Sequence, residues 1–262
     1  MKVAIISPIS VLKKYAETAD KYHLILTHLV KESREYASFY RGLAEKGHHI
    51  ILDNSVHELG EPGTVDDLVQ TARITKATEI ALPDQPFNAR LTLRKAQQAY
   101  SSFKEELPTI SIMGIPQGND VHELLWCLQG LVNLGVNGIN TIGLTNDYEI
   151  WGGGLLKLIR EIRCAGFYHP IHILGWSRDI YALSELGRFS NDYNIYGVDS
   201  AKPLVFAHHK IVIPNSPFRK MLEYPGRPEN FFDLSENDID PTCAVENIKT
   251  FKALAEGKIN VL

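Results

Sequence analysis

Four short apolar runs in this 262-residue chain lead into side chains able to do acid–base or recognition chemistry. "HIILDN" delivers Asp53, "EIALPD" delivers Asp84, "GIPQG" presents Gln117 after the run "TISIMGI", and "IYGVDS" delivers Asp199. Two carboxylates on opposite sides of a substrate suit displacement at an acetal-like carbon, one as nucleophile and the other as proton donor and acceptor. A third carboxylate with an amide suits a guanine-like edge. The carboxylate accepts from the ring N–H and the exocyclic amine, and the amide N–H donates to the carbonyl oxygen. Carboxylates alone also suit magnesium or calcium. No phosphate loop accompanies them, because the glycines at 152–154 are not followed by Lys and Ser or Thr. Any one of these acids has a simpler explanation, since Asp and Asn follow strands as turn and cap residues. Three acids on one rim are harder to explain that way, because close carboxylates repel unless something uses them.

What would bring such distant residues to one rim is a repeated strand–helix unit. Eight runs are apolar on both faces: "KVAIISP", "HLILTHL", "HIILDN", "EIALPD", "TISIMGI", "INTIGLT", "IHILGW" and "IYGVDS". They fit a parallel sheet covered by helices. Between them lie amphipathic segments. One places Val121, Leu124, Leu125, Leu128 and Leu131 on a stripe, and another does so with Leu155, Leu158, Ile159 and Ile162. Thr64 and Asn88 stand as N-caps and Gly166 as a C-cap. The pattern predicts an α/β protein with a (β/α)8 TIM barrel, a single domain over 1–262, whose chemistry sits at the C-terminal ends of strands. An open doubly wound sheet is the other candidate, disfavoured because no G-x-G-x-x-G follows the first strand. The first unit is the weakest, with only a short helix expected over 9–21. Residues 202–240 are expected to be irregular because they are rich in Pro and Gly, and "CAVENIKTFKALAEG" is expected to be the closing helix.

Composition bounds the partners. Net charge is −4, which is not the overall basic footprint of a nucleic-acid binder, so any such contact must come from a local patch. The three cysteines, Cys127, Cys164 and Cys243, are scattered, without the short spacing of a zinc site. They suggest free thiols in a reducing compartment. No signal peptide and no apolar run long enough to span a bilayer is seen, so a soluble cytoplasmic protein is expected, with no membrane partner.

The stretches "LDNSVHELG", "ALPDQP", "MGIPQG", "IGLTN", "HILGW" and "GVDSA" occur in the order and rough spacing of the tRNA-guanine transglycosylase family, which this chain resembles over about residues 48–202. Those enzymes are (β/α)8 barrels that exchange guanine for a 7-deazaguanine base. The resemblance implies Asp53 as the acid/base group, Asp199 as the nucleophile and Asp84 as the reader of the base. It implies Gln117 for the base carbonyl, Gly143 and Leu144 for backbone amides, and Leu174 and Gly175 for the pocket floor. His57 stands where the family has an aromatic, and His57 or Trp176 is expected to stack on the base. No cofactor and no metal is implied. The family's cysteine-rich zinc site after the nucleophile strand is missing, and its two glycines after the acid/base aspartate are replaced by Ser55 and Val56.

A short, zinc-less relative is most similar to the phage-type DNA guanine transglycosylases. The expected function is exchange of guanine for a 7-deazaguanine in nucleic acid, in DNA rather than tRNA, with the host cytoplasm as its place if phage-encoded. Residues 202–227 hold Lys202, Lys210, Arg219, Lys220 and Arg227 against Glu223 alone, with histidines and aromatics interleaved. Such a strip can follow a phosphate backbone and stack bases. The alternatives are a tRNA-guanine transglycosylase, a deazaguanine nucleoside hydrolase, and a noncatalytic binding subunit, the last disfavoured because the three acids are present. No protein partner can be inferred.

Overall fold

A computed structural model describes residues 1–18, 20–150, 154–177, 179–213 and 225–259. The strands are β1 Lys2–Ile5, β2 Tyr22–Leu26, β3 His49–Asp53, β4 Glu79–Ala81, β5 Ser111–Gly114, β6 Thr141–Thr145, β7 Ile171–Leu174 and β8 Ile195–Ser200. The helices are α1 Leu12–Tyr15, α2 Thr27–Glu32, α3 Arg34–Glu45, α4 Val56–Leu59, α5 Val65–Thr75, α6 Ala89–Glu106, α7 Val121–Val132, α8 Gly154–Cys164, α9 Ile180–Arg188, α10 Lys202–His208 and α11 Pro241–Ala255. The strands form one eight-stranded sheet in the order β1-β8-β7-β6-β5-β4-β3-β2. With helices interleaved between parallel strands, the protein is an α/β (β/α)8 TIM barrel. No described helix is long and apolar enough to cross a membrane.

The chain divides into two compact units, residues 24–172 and residues 1–23 with 173–262. In the first, β3, β4, β5 and β6 pair in parallel with Ile51 opposite Glu79, Ile80 opposite Ile112, and Met113 opposite Thr141. Ile50, Ile51, Leu52, Ile80, Ile112, Met113 and Ile142 are fully buried, which is why these runs carry no alternation. Thr64 caps α5 by accepting from the Asp67 N–H, and Asn88 caps α6 by accepting from the Leu91 N–H, as the sequence predicts. At the strand starts, the buried Glu79 meets His49 Nε2 at 2.8 Å.

In the second unit β1 pairs with β8, Ala4 opposite Asp199. Helix α11 lies against α9 at Gly187, where an added Cβ would come within 2.5 Å of the Leu254 carbonyl oxygen. A buried Asn247 pins α11. Its Oδ1 accepts from Ile213 N, and its Nδ2 donates to the carbonyls of Pro203 and Ile211. Residues 202–240 correct the expectation of a wholly irregular stretch. They begin with α10, because a proline at the start of a helix gives up only an N–H that has no intrahelical partner. The expected short helix over 9–21 is a broken one, with 3₁₀ turns at 9–11 and 16–18 on either side of α1.

Gly197, two residues before Asp199, is demanded by packing. A Cβ there would sit 2.5 Å from the ring of Tyr22. Gly197→Ala is expected to lower stability by about 1–3 kcal/mol through overpacking, measured by urea unfolding.

Candidate active site

In the 24–172 unit, four loops follow the C-terminal ends of β3, β4, β5 and β6, and each supplies a member of one buried cluster. Asp84, 2% exposed, is its centre. Asn54 Nδ2 donates to Asp84 Oδ1 at 2.8 Å, and Gln117 Nε2 donates to Asp84 Oδ2 at 2.6 Å. The Gln117 Oε1 accepts from the Phe87 N–H at 3.0 Å and from the Tyr148 hydroxyl at 2.7 Å. The Gly118 N–H reaches that hydroxyl at 3.3 Å.

The amide orientations follow from chemistry. A backbone N–H can only donate, so Gln117 must turn its oxygen to Phe87 and its nitrogen to Asp84. Likewise Asn54 Oδ1 faces the Val56 N–H at 2.9 Å, which leaves its Nδ2 for Leu82 O and Asp84. Both Asp84 oxygens thus already accept one bond each, and each keeps a further lone pair for a ligand.

Burial pushes the Asp84 carboxyl up to about 6, against the opposing pull of the Asn54 and Gln117 N–H groups and of Lys95. Burial also holds the Tyr148 hydroxyl far above its ordinary value, so it stays a neutral donor. Cys127, whose sulfur accepts from the Gln117 N–H at 3.5 Å, is pushed up to about 11 by burial, which makes it a packing residue and not a thiolate.

Asp53 ends β3, half-buried. Its Oδ2 accepts from the Ser55 N–H at 2.7 Å, and its carbonyl accepts from Thr27 Oγ1. Ser55 adopts φ +62, left-handed backbone at the position where the resembled family has a glycine. A non-glycine residue there carries strain of roughly 1–2 kcal/mol. Its hydroxyl engages His28 Nδ1 at 3.1 Å, a contact that glycine would not make. His57 is exposed on α4. Gly143 and Leu144 are buried within β6.

In the other unit Asp199 is 4% exposed in β8 and its Oδ1 accepts from the Gly175 N–H at 3.1 Å. Gly175 follows Leu174 at the end of β7 with φ +65, a conformation that suits glycine. The Trp176 N–H donates to Asp199 O at 2.8 Å, and Ser200 Oγ donates to Trp176 O at 2.6 Å. The expectation of Trp176 as a stacking surface is corrected: the ring is 1% exposed, and its buried Nε1 has no hydrogen-bond partner among the described residues.

The basic strip is also corrected in part. Lys202 is 3% exposed, its Nζ donates to Ser177 O at 3.1 Å, and burial lowers its pKa to about 8 despite Asp179 nearby. It is a buried strap between the loops after β7 and β8, not a cation on a phosphate track. Lys210 and Arg227 are exposed, the latter over the Phe232 ring. Arg219 and Lys220 lie outside the described residues. Two members of the Asp84 cluster were absent from the sequence-derived site. Asn54 was signalled only by its place beside Asp53, and Tyr148 only by lying just past a strand end.

Among the described residues no three His, Cys, Asp or Glu side chains gather as metal ligands would. Comparison with protein-family models and with curated proteins finds no match to this chain.

Because the folded Asp84 carboxyl titrates near 6 and the unfolded one near 3.8, its protonation favours the fold. That contribution is complete below about 3.8 and is lost as pH rises through about 6. The stability of the wild type minus that of Asp84→Asn is expected to fall over this window by no more than ~3 kcal/mol. Urea titrations at pH 4, 5 and 7 check it.

Proposed function

We propose that the protein is a guanine transglycosylase that exchanges guanine for a 7-deazaguanine base in nucleic acid, DNA being the favoured polymer. The observation that carries the reading is the Asp84 cluster. A buried carboxylate, held between two amides with a tyrosine behind, presents acceptors matched to the N1–H and exocyclic amine of guanine. A spare Gln117 N–H suits the base carbonyl. In (β/α)8 barrels chemistry is sited at strand C-termini, which supports the reading.

The reaction is a double displacement. The target nucleotide leaves its stack. An Asp199 oxygen attacks C1′, the bond from C1′ to guanine N9 breaks, and Asp53 delivers a proton to the departing base. The incoming 7-deazaguanine gives its ring N–H proton to Asp53. Its nitrogen then attacks C1′, and Asp199 leaves as the carboxylate. The Gly175 N–H on Asp199 supports the negative charge at the start and end of this cycle.

The burial of Lys202 favours a second reading, because it removes one cation from the expected phosphate track. Water would then be the final acceptor, and a deazaguanine nucleoside the substrate of a hydrolase.

Labelled-guanine exchange against double-stranded DNA, single-stranded DNA, tRNA and free nucleoside separates these readings. Asp199→Ala is expected to lose exchange by roughly a thousandfold or more, and normal exchange by that variant overturns the nucleophile assignment. Release of base from the nucleoside, without exchange into any polymer, selects the hydrolase. Free guanine is expected to bind more weakly as pH falls through about 6, where Asp84 gains a proton and loses an acceptor. Calorimetric titration at pH 5 and pH 8 measures this.

A further inference from the structure

Beside the Asp84 cluster, wholly within the 24–172 unit, lies a cleft of about 410 Å³. Phe87, Arg90, Asn119, His122, Glu123 and Trp126 line it. Its size lies within the range of small-ligand sites. It opens between α6 and α7, which pack closely enough that a Cβ on Gly130 would meet the Leu93 side chain at 2.6 Å.

Two features set this cleft apart from an ordinary dip between helices. Its two aromatic rings are open to solvent, Phe87 at 44% and Trp126 at 50%. Helix α7 buries Leu124, Cys127, Leu128 and Leu131, so Trp126 lies off the packed stripe and adds nothing to the core. Arg90 and His122 are exposed beside these rings, and Arg90 has no ion-pair partner among the described residues. Glu123 is engaged by Asn119, whose backbone N–H and Nδ2 both donate to its Oε2 at 3.0 Å. Its charge opposes an anion there, which leaves the Arg90 side for a phosphate.

The cleft and the Asp84 cluster share one residue. Phe87 belongs to both, since its backbone N–H holds Gln117 Oε1 and its ring stands edge-on to Tyr148, centroids 6.2 Å apart. Phe87 thus contributes its backbone to the cluster and its ring to the cleft lining.

We propose that this cleft holds a nucleotide flanking the one whose base is exchanged, its base stacked on Trp126 and Phe87 and its phosphate met by Arg90. The inference rests on the transglycosylase reading for what sits at Asp84. Stacking of bases on aromatic side chains accepts any base, and a nearby cation supplies the backbone contact. The site therefore fits a single-stranded or locally opened strand and reads no sequence. It gives the protein a nucleic-acid surface that does not depend on the buried Lys202.

The test uses labelled oligothymidylate and oligouridylate, neither containing guanine, with anisotropy as the readout on the full chain. Trp126→Ala is expected to weaken binding about tenfold, and Trp126→Phe to restore most of it. Arg90→Ala is expected to reduce the dependence of log Kd on log salt by about one. The two oligomers tell whether the site prefers a deoxyribose or a ribose backbone. Free guanine binding is measured in parallel and is expected to be unchanged in Trp126→Ala. If neither oligomer binds the wild type, or Trp126→Ala binds both as tightly as the wild type, the cleft is not a nucleotide site. If oligomer binding depends on Trp126 while guanine binds equally to wild type and Asp84→Ala, the cleft stands and the base-reading assignment falls.

Discussion

A negative charge that cannot reach water organises the 24–172 unit. Asp84 sits in the loop after a three-residue strand with only 2% exposure. A buried carboxylate is tolerated only when hydrogen bonds replace its hydration. Asn54 and Gln117 supply those bonds, and each is in turn held by backbone N–H groups of Val56 and Phe87. Tyr148 completes the ring of donors from the loop after β6. Four successive loops are thus fixed by the needs of one side chain. The cost that remains is visible in its elevated pKa.

The fold was legible because most strand positions are buried on both faces and read as nearly continuous apolar runs, with Tyr196 in β8 an exposed exception. The runs extend past the strands, as in "EIALPD", where only Glu79–Ala81 pairs. Apolar character marks burial and not ladder bonding, and Leu82 is buried without belonging to the strand. Caps at Thr64 and Asn88 were legible because a short polar side chain before an acidic or amphipathic turn has one obvious job. The start of α10 was not, because counting prolines as breakers misses their tolerance in a first helical turn.

In the site, Asp84 and Gln117 could be picked out from strand ends, but their mutual hydrogen bond could not. Tyr148 was invisible because its role exists only once three loops converge. Lys202 was misplaced for a different reason. A lysine among other cations reads as surface, and its burial depends on a carbonyl at Ser177 that no local pattern announces. In the same unit, Asp199, Ser200 and Lys202 all bond to the 175–177 segment, so the end of β8 fixes the loop that follows β7.

The side-chain amide of Gln117 cannot rotate end for end without setting its nitrogen against the Phe87 N–H and its oxygen against a carboxylate. The cluster therefore has a fixed polarity, acceptor at Asp84 and donor beside it. That polarity is set by a peptide N–H, a group that at position 87 every residue except proline supplies, so it does not depend on which side chain stands there.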